Sequence, residues 1–259
     1  MIRRTWPAWA AFLVLFLAYQ APEGIGIHLL GRPAVQAVLL LLFFPVAWGV
    51  ARARGYWGFE AYAMERAPRW APTLGATLLL ALAVKAVAVA VGLRLGVYAV
   101  EAESPASGDL LLALLGIAFM TVWPSVAEDI VTRGFWARQV PALGRGVGFV
   151  LATSALYVLN HVYRLHEGPL EWLMLFAFGL AYATALVRTG TLWAAIGLHW
   201  GWNIAAFATT DVFGVVTERP LVGPILSAAA HLVALGVVLL ATTARAEGAG
   251  SGRRMAASA

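Results

Sequence analysis

About eight separate, mostly apolar stretches, each close to 18 residues or longer, divide this chain of 259 residues. They run approximately from Pro7 to Ile27, Pro33 to Ala51, Leu74 to Tyr98, Leu110 to Arg138, Gly146 to Tyr163, Glu171 to Val187, Leu192 to Thr209 and Leu221 to Thr242. A helix rises 1.5 Å per residue, so about 20 apolar residues cross the hydrocarbon layer of a bilayer. Charged residues are 12% of the chain and hydrophobic ones 61%, whereas a soluble domain carries roughly 25% charged residues. The expected fold is all-α: a polytopic transmembrane helix bundle of about eight spans. No extended soluble domain fits between the stretches, so residues 1–245 read as one membrane domain. The tail 246–259 is small, polar and basic, and is expected to be disordered. The first stretch follows Met-Ile-Arg-Arg but no small-x-small cleavage site follows it, so a retained anchor is expected.

Arginines set the expected orientation. With a cytoplasmic amino terminus, one set of loops holds Arg3, Arg4, Arg52, Arg54, Arg66, Arg69, Arg138, Arg145, Arg188, Arg245, Arg253 and Arg254. The opposite set holds Arg32, Arg94, Arg164 and Arg219, together with Glu101, Glu103, Asp109, Asp211 and Glu218. This is the positive-inside bias, and an even number of spans puts both termini in the cytoplasm. The net charge of +5 then reflects topology and anionic lipid rather than nucleic acid. The lack of cysteine excludes disulfides, thiolate catalysis and cysteine-ligated metal.

Three polar patterns interrupt the apolar segments: Glu128-Asp129 with Arg133, Tyr157 with His161, and His199 with Asn203. Ionisable groups at membrane depth are costly and mark candidate functional sites. Glu128 lies about 13 residues before the turn Pro141 to Gly146 and His161 about 15 after it, so both sit ~20 Å from their helix ends. His199 lies about 11 residues beyond Arg188, or ~16 Å. One site at a common depth is the expectation. The i,i+4 spacing lets Asp129 pair with Arg133 and presents His199 and Asn203 on one face. Glu128, rotated about 100° from Asp129, is free to face other helices.

These residues resemble the CPBP family of intramembrane proteases, which includes the type II CAAX prenyl endopeptidases. The family pattern is Glu-Glu-x-x-x-Arg, then Phe-x-x-x-His, then His-x-x-x-Asn, on separate helices. This chain has Glu128-Asp129-Ile130-Val131-Thr132-Arg133, Tyr157-Val158-Leu159-Asn160-His161 and His199-Trp200-Gly201-Trp202-Asn203. Asp129 replaces the second Glu and Tyr157 the Phe. The resemblance covers roughly the second half and implies a protease core near 108–210. It implies a glutamic-type endopeptidase acting on a membrane-associated protein or peptide in the inner or plasma membrane of a prokaryotic cell. Glu128 and His161 would activate a water, His199 and Asn203 would hold the oxyanion, and Asp129 and Arg133 would support them.

No cofactor is expected on this reading. A zinc-dependent version would use Glu128, His161 and His199 as ligands, although His-Glu-x-x-His is missing. Two other classes compete: a proton-coupled transporter built on the same buried charges, and a non-catalytic membrane partner or immunity factor. His28, His166 and His231 read as structural, and Lys85 receives no role.

Overall fold

The computed structural model describes residues 6–66, 68–101 and 107–256. Arg3, Arg4, Glu103 and the last three residues of the tail lie outside the described residues. The architecture is a helical membrane bundle. Helix α1 (Ala8–Ala21) continues as a π-helical segment, Pro22–Leu29, and α2 (Pro33–Ala53) starts on a proline whose missing N–H costs a first turn nothing. After a short 3₁₀ turn, Phe59–Tyr62, comes α3 (Trp70–Arg94). Helix α4 (Ser107–Asp129) runs into a π-helical segment, Ile130–Gly134, and then α5 (Phe135–Gln139). The remainder is α6 (Val147–Asn160), α7 (Pro169–Thr189), α8 (Leu192–Phe207) and α9 (Gly223–Ala256).

Each predicted apolar stretch is largely helical, and among the described residues six segments are long and apolar enough to cross a membrane. The protein is therefore an integral membrane helical bundle. The fifth and seventh stretches form shorter helices, α6 with 14 residues and α8 with 16. The fifth was expected to run to Tyr163; instead the helix ends at Asn160, with His161 as its C-cap at φ −86°, ψ 52°. The third starts at Trp70, about a turn earlier than its apolar pattern. The long fourth stretch holds, as 31 continuous residues from Asp109 to Gln139.

At one end, buried Arg54 donates from Nε to Gln139 Oε1 at 3.0 Å and from Nη1 to the Trp6 carbonyl at 2.6 Å. This ties the start of α1 to the ends of α2 and α5. At the same end the Leu192 amide donates to the Ala63 carbonyl at 2.8 Å. The Arg188 guanidinium there reaches Thr242 and Thr243 at 2.8 Å each. At the opposite end a small antiparallel ribbon pairs β1 (Tyr98–Val100) with β2 (Val215–Thr217), with Ala99 opposite Val216. The all-α expectation omitted it. Its β-branched and aromatic residues suit an extended pair, and it links the end of α3 to the end of α8.

Helix α8 is wedged against α3. A Cβ added at Gly201 would stand 2.5 Å from the Leu78 carbonyl oxygen, and Gly197 on the same face abuts Thr77 and Leu74. The Gly197-x-x-x-Gly201 spacing lets the two backbones approach, as small residues do between membrane helices. With that face closed, α8 packs on α4 and α7 as well.

Candidate active site

Three helices, α4, α6 and α8, converge around Glu128. Its Oε1 lies 3.4 Å from Nε2 of His161, and its Oε2 lies 3.6 Å from Nε2 of His199. Asn160 donates from Nδ2 to Glu128 Oε1 at 3.2 Å. Glu128 is the penultimate residue of α4, two residues before the π-helical segment, a local geometry often found at functional sites. Thr132 Oγ1 donates to the Glu128 carbonyl at 2.7 Å, so the change of winding leaves that acceptor satisfied.

Asp129 serves a different partner. It is completely buried, forms an ion pair with Arg133, and lies 3.3 Å from Nδ1 of His199 through Oδ1. Arg133 is also completely buried. Its guanidinium carbon stands 4.9 Å from the Tyr157 ring centroid and 5.2 Å from that of Tyr182. The expected Asp129–Arg133 pair is present, and two aromatic faces enclose it.

Backbone and carboxylate acceptors fix the imidazoles. His161 Nδ1 is 2.8 Å from the Tyr157 carbonyl, an oxygen that can only accept, so Nδ1 carries the proton. His199 Nδ1 faces the Asp129 carboxylate, which makes Nδ1–H the donor there too. In the neutral form both rings therefore turn the Nε2 lone pair toward Glu128. Three electron-rich groups meet around one small volume. A proton or a water hydrogen between them resolves that conflict.

Asn203 is half-buried and donates from Nδ2 to Ser125 Oγ at 3.0 Å. Ser125 precedes Asp129 by one turn, so Asn203 faces the same side of α4 as the acidic pair. Its second amide N–H is left for another acceptor. All seven residues singled out by pattern are thus brought to facing surfaces of α6, α8 and α4 with the π-helical segment that continues it.

Several neighbours carried no sequence signal. Gln20 of α1 donates from Nε2 to the Asn160 carbonyl at 2.8 Å and to Asn160 Oδ1 at 3.1 Å. The Tyr182 ring stacks on His199 with centroids 5.0 Å apart and planes 20° apart. The Tyr182 hydroxyl donates to His231 Nε2 at 3.0 Å, because His231 Nδ1–H is given to the Ser227 carbonyl at 3.0 Å. His231, read from the sequence as structural, thereby anchors a ring that touches the site. Lys85 lies 4.6 Å from the Trp202 ring centroid, which supplies it a partner within the membrane.

Where α6 stops at His161, residues Val162–Glu167 form a 3₁₀ turn. Irregular backbone at membrane depth persists where it is buried or lines a watery cavity. A cavity of about 130 Å³ opens here, lined by Gln20, Gln36, Pro124, Asn160, His161 and Arg164, among others. The His161 side chain is 15% exposed and that of Glu128 7%, so His161 stands at the wetter side of the pair.

Among the described residues no group of three or more His, Cys, Asp or Glu side chains is arranged to hold a metal ion. The two oxygens of Glu128 face different histidines.

Residues 110–205 match the family model described as type II CAAX prenyl endopeptidase Rce1-like. The matched segment contains Glu128, Asp129, Arg133, His161, His199 and Asn203. The resemblance carried by the three motifs is thereby shown over that segment. The match implies a CAAX-type protease, a hydrolase, with a membrane-associated substrate. No curated protein matches the chain.

Proposed function

We propose that this protein is a glutamic-type intramembrane endopeptidase that hydrolyses a peptide bond of a membrane-associated protein or peptide. The carrying observation is the Glu128 carboxylate, held between Nε2 of His161 at 3.4 Å and Nε2 of His199 at 3.6 Å inside an apolar bundle. Water reaches His161 through the adjoining cavity and is held between it and Glu128. Glu128 takes one proton as the water oxygen attacks the scissile carbonyl carbon. The carbonyl oxygen becomes an oxyanion and turns toward Asn203 and His199. The free Asn203 N–H can donate at once, whereas His199 Nε2 donates only after gaining a proton. Glu128 Oε2 is close enough to supply one. When the tetrahedral intermediate collapses, the C–N bond breaks, the proton shared by Glu128 and His199 returns through Glu128 to the leaving amine, and the other water proton stays on the new carboxyl group. Asp129 holds the His199 tautomer, and Arg133 pairs with Asp129.

On this reading the bundle has eight spans, with α6 and α8 completed by adjoining turns. The arginine-rich end faces the cytoplasm of a prokaryotic cell, and both termini lie there. No cofactor takes part in these steps. A proton-coupled transporter or a non-catalytic partner would need neither the oxyanion donors nor a hydrolytic water. Membrane-protein termini compared between cells with the intact protein and with Glu128→Gln provide the test. New termini that depend on Glu128 support the protease. Identical termini in both cells, with the phenotype of the intact protein retained by Glu128→Gln, would overturn it.

A further inference from the structure

Away from the active site, two adjoining cavities open at the arginine-rich end, between the start of α3, the α7–α8 turn and the end of α9. Their volumes are about 650 and 510 Å³, within the range of ligand-binding pockets. Their walls share Arg69, Thr73, Thr189 and Thr242, and Arg188 lines the second. The first continues along Ala76, Leu80, Val238 and Ala241 between α3 and α9. Polar head and apolar groove are thus one continuous space.

The charges in this cleft are unbalanced. Among the described residues the Arg69 guanidinium has no ion pair or side-chain hydrogen bond, and Arg188 bonds only the neutral hydroxyls of Thr242 and Thr243. The carboxylate at the rim, Glu65, is engaged by Arg138 at 2.9 Å. Two guanidiniums without a carboxylate therefore face one cleft, a charge pattern complementary to an anion. The Trp70 and Trp193 rings stand 4.9 Å apart beside it, and tryptophan collects at headgroup depth. We propose that this cleft is a binding site for one anionic phospholipid. Arg69 and Arg188 hold the phosphate, the threonine hydroxyls border it, and an acyl chain lies in the groove between α3 and α9. The lipid would fasten α9 to α3 where the side chains leave a gap.

Native mass spectrometry of the full-length protein in detergent tests this, with phosphatidylglycerol and phosphatidylcholine of identical acyl chains added separately. The expected result is preferential retention of one phosphatidylglycerol. Arg69→Gln should weaken that preference about fivefold, the size of one surface arginine's attraction to anionic lipid. Arg66→Gln, at an exposed arginine on the same end but outside both cavities, should leave it unchanged. Equal retention of the two lipids would overturn the site. So would equal losses in Arg69→Gln and Arg66→Gln, which would mean diffuse attraction to the whole basic face. Displacement of the lipid by glycerol 3-phosphate alone would overturn it as well, by revealing a site for soluble phosphate. Because the readout is bound lipid, it stands or falls independently of proteolysis.

Discussion

Asp129 Oδ1 lies 3.3 Å from Nδ1 of His199, on the far side of the ring from Glu128. One carboxylate thus sets the tautomer that the other meets. Asp129→Ala removes this acceptor and leaves Arg133 buried without its ion-pair partner. Loss of one member of a buried pair costs about 3–5 kcal/mol, so the variant should unfold at markedly lower temperature. Asp129→Glu, which restores the residue type of the family pattern, should keep the pair and most of the stability. Thermal unfolding in detergent checks both. Equal stability of Asp129→Ala and wild type would show that Arg133 does not depend on Asp129.

Glu128→Gln keeps the shape of the side chain and removes the base, so peptide cleavage should fall to background. Asn203→Ala should retain residual activity, since loss of one oxyanion donor typically lowers the rate ~10²–10³-fold. Single-turnover cleavage by the purified variants separates the two. A wild-type rate for Asn203→Ala would remove Asn203 from the oxyanion role.

The amide chain from Gln20 to Asn160 to Glu128 predicts a graded pair of effects. Asn160→Leu should lower kcat by about 10–100-fold, the usual range for a partner that orients a catalytic group. Gln20→Leu, one step further out, should lower it less, with KM nearly unchanged in both. If Gln20→Leu proved more damaging than Asn160→Leu, Gln20 would be acting directly on substrate or water.

Close packing of α8 on α3 sets a steric limit. Gly201→Val would drive a branched side chain into the Leu78 carbonyl, and overpacking of this kind costs about 1–3 kcal/mol. Gly236, in open space on α9, should accept alanine with little change. Melting temperatures of Gly201→Val and Gly236→Ala make the comparison, and equal values would refute the contact.

Exhaustive chelation should leave turnover intact. Stoichiometric zinc whose removal abolishes cleavage, and whose return restores it, would replace the glutamic reading with a metal-dependent one.

The charged part of the site was legible because a charge within an apolar helix is rare. Glu128, Asp129, Arg133, His161 and His199 announce themselves by cost alone, and helical spacing pairs them. Asn160 and Gln20 do not, since a neutral amide near a helix end is ordinary and Gln20 lies over a hundred residues from its partner. Tyr182 reads as one more aromatic in an apolar run. The end of α6 was misplaced for a related reason. Val162 and Tyr163 continue the hydrophobic pattern, whereas the backbone turns at His161 to bring its ring to Glu128. The β ribbon was hidden by its three-residue strands, too short for alternation to register.

Gln20 and the α3 backbone beneath Gly201 both lie outside the motif-bearing segment 110–205. A graft of that segment into another bundle would transfer every charged group, yet leave Asn160 without its amide neighbour and α8 without its support. The charges would travel and their alignment would not. Tuning of this protein is therefore open to changes in its first hundred residues, at positions bearing no motif, and variant effects there should be scored on turnover as well as abundance.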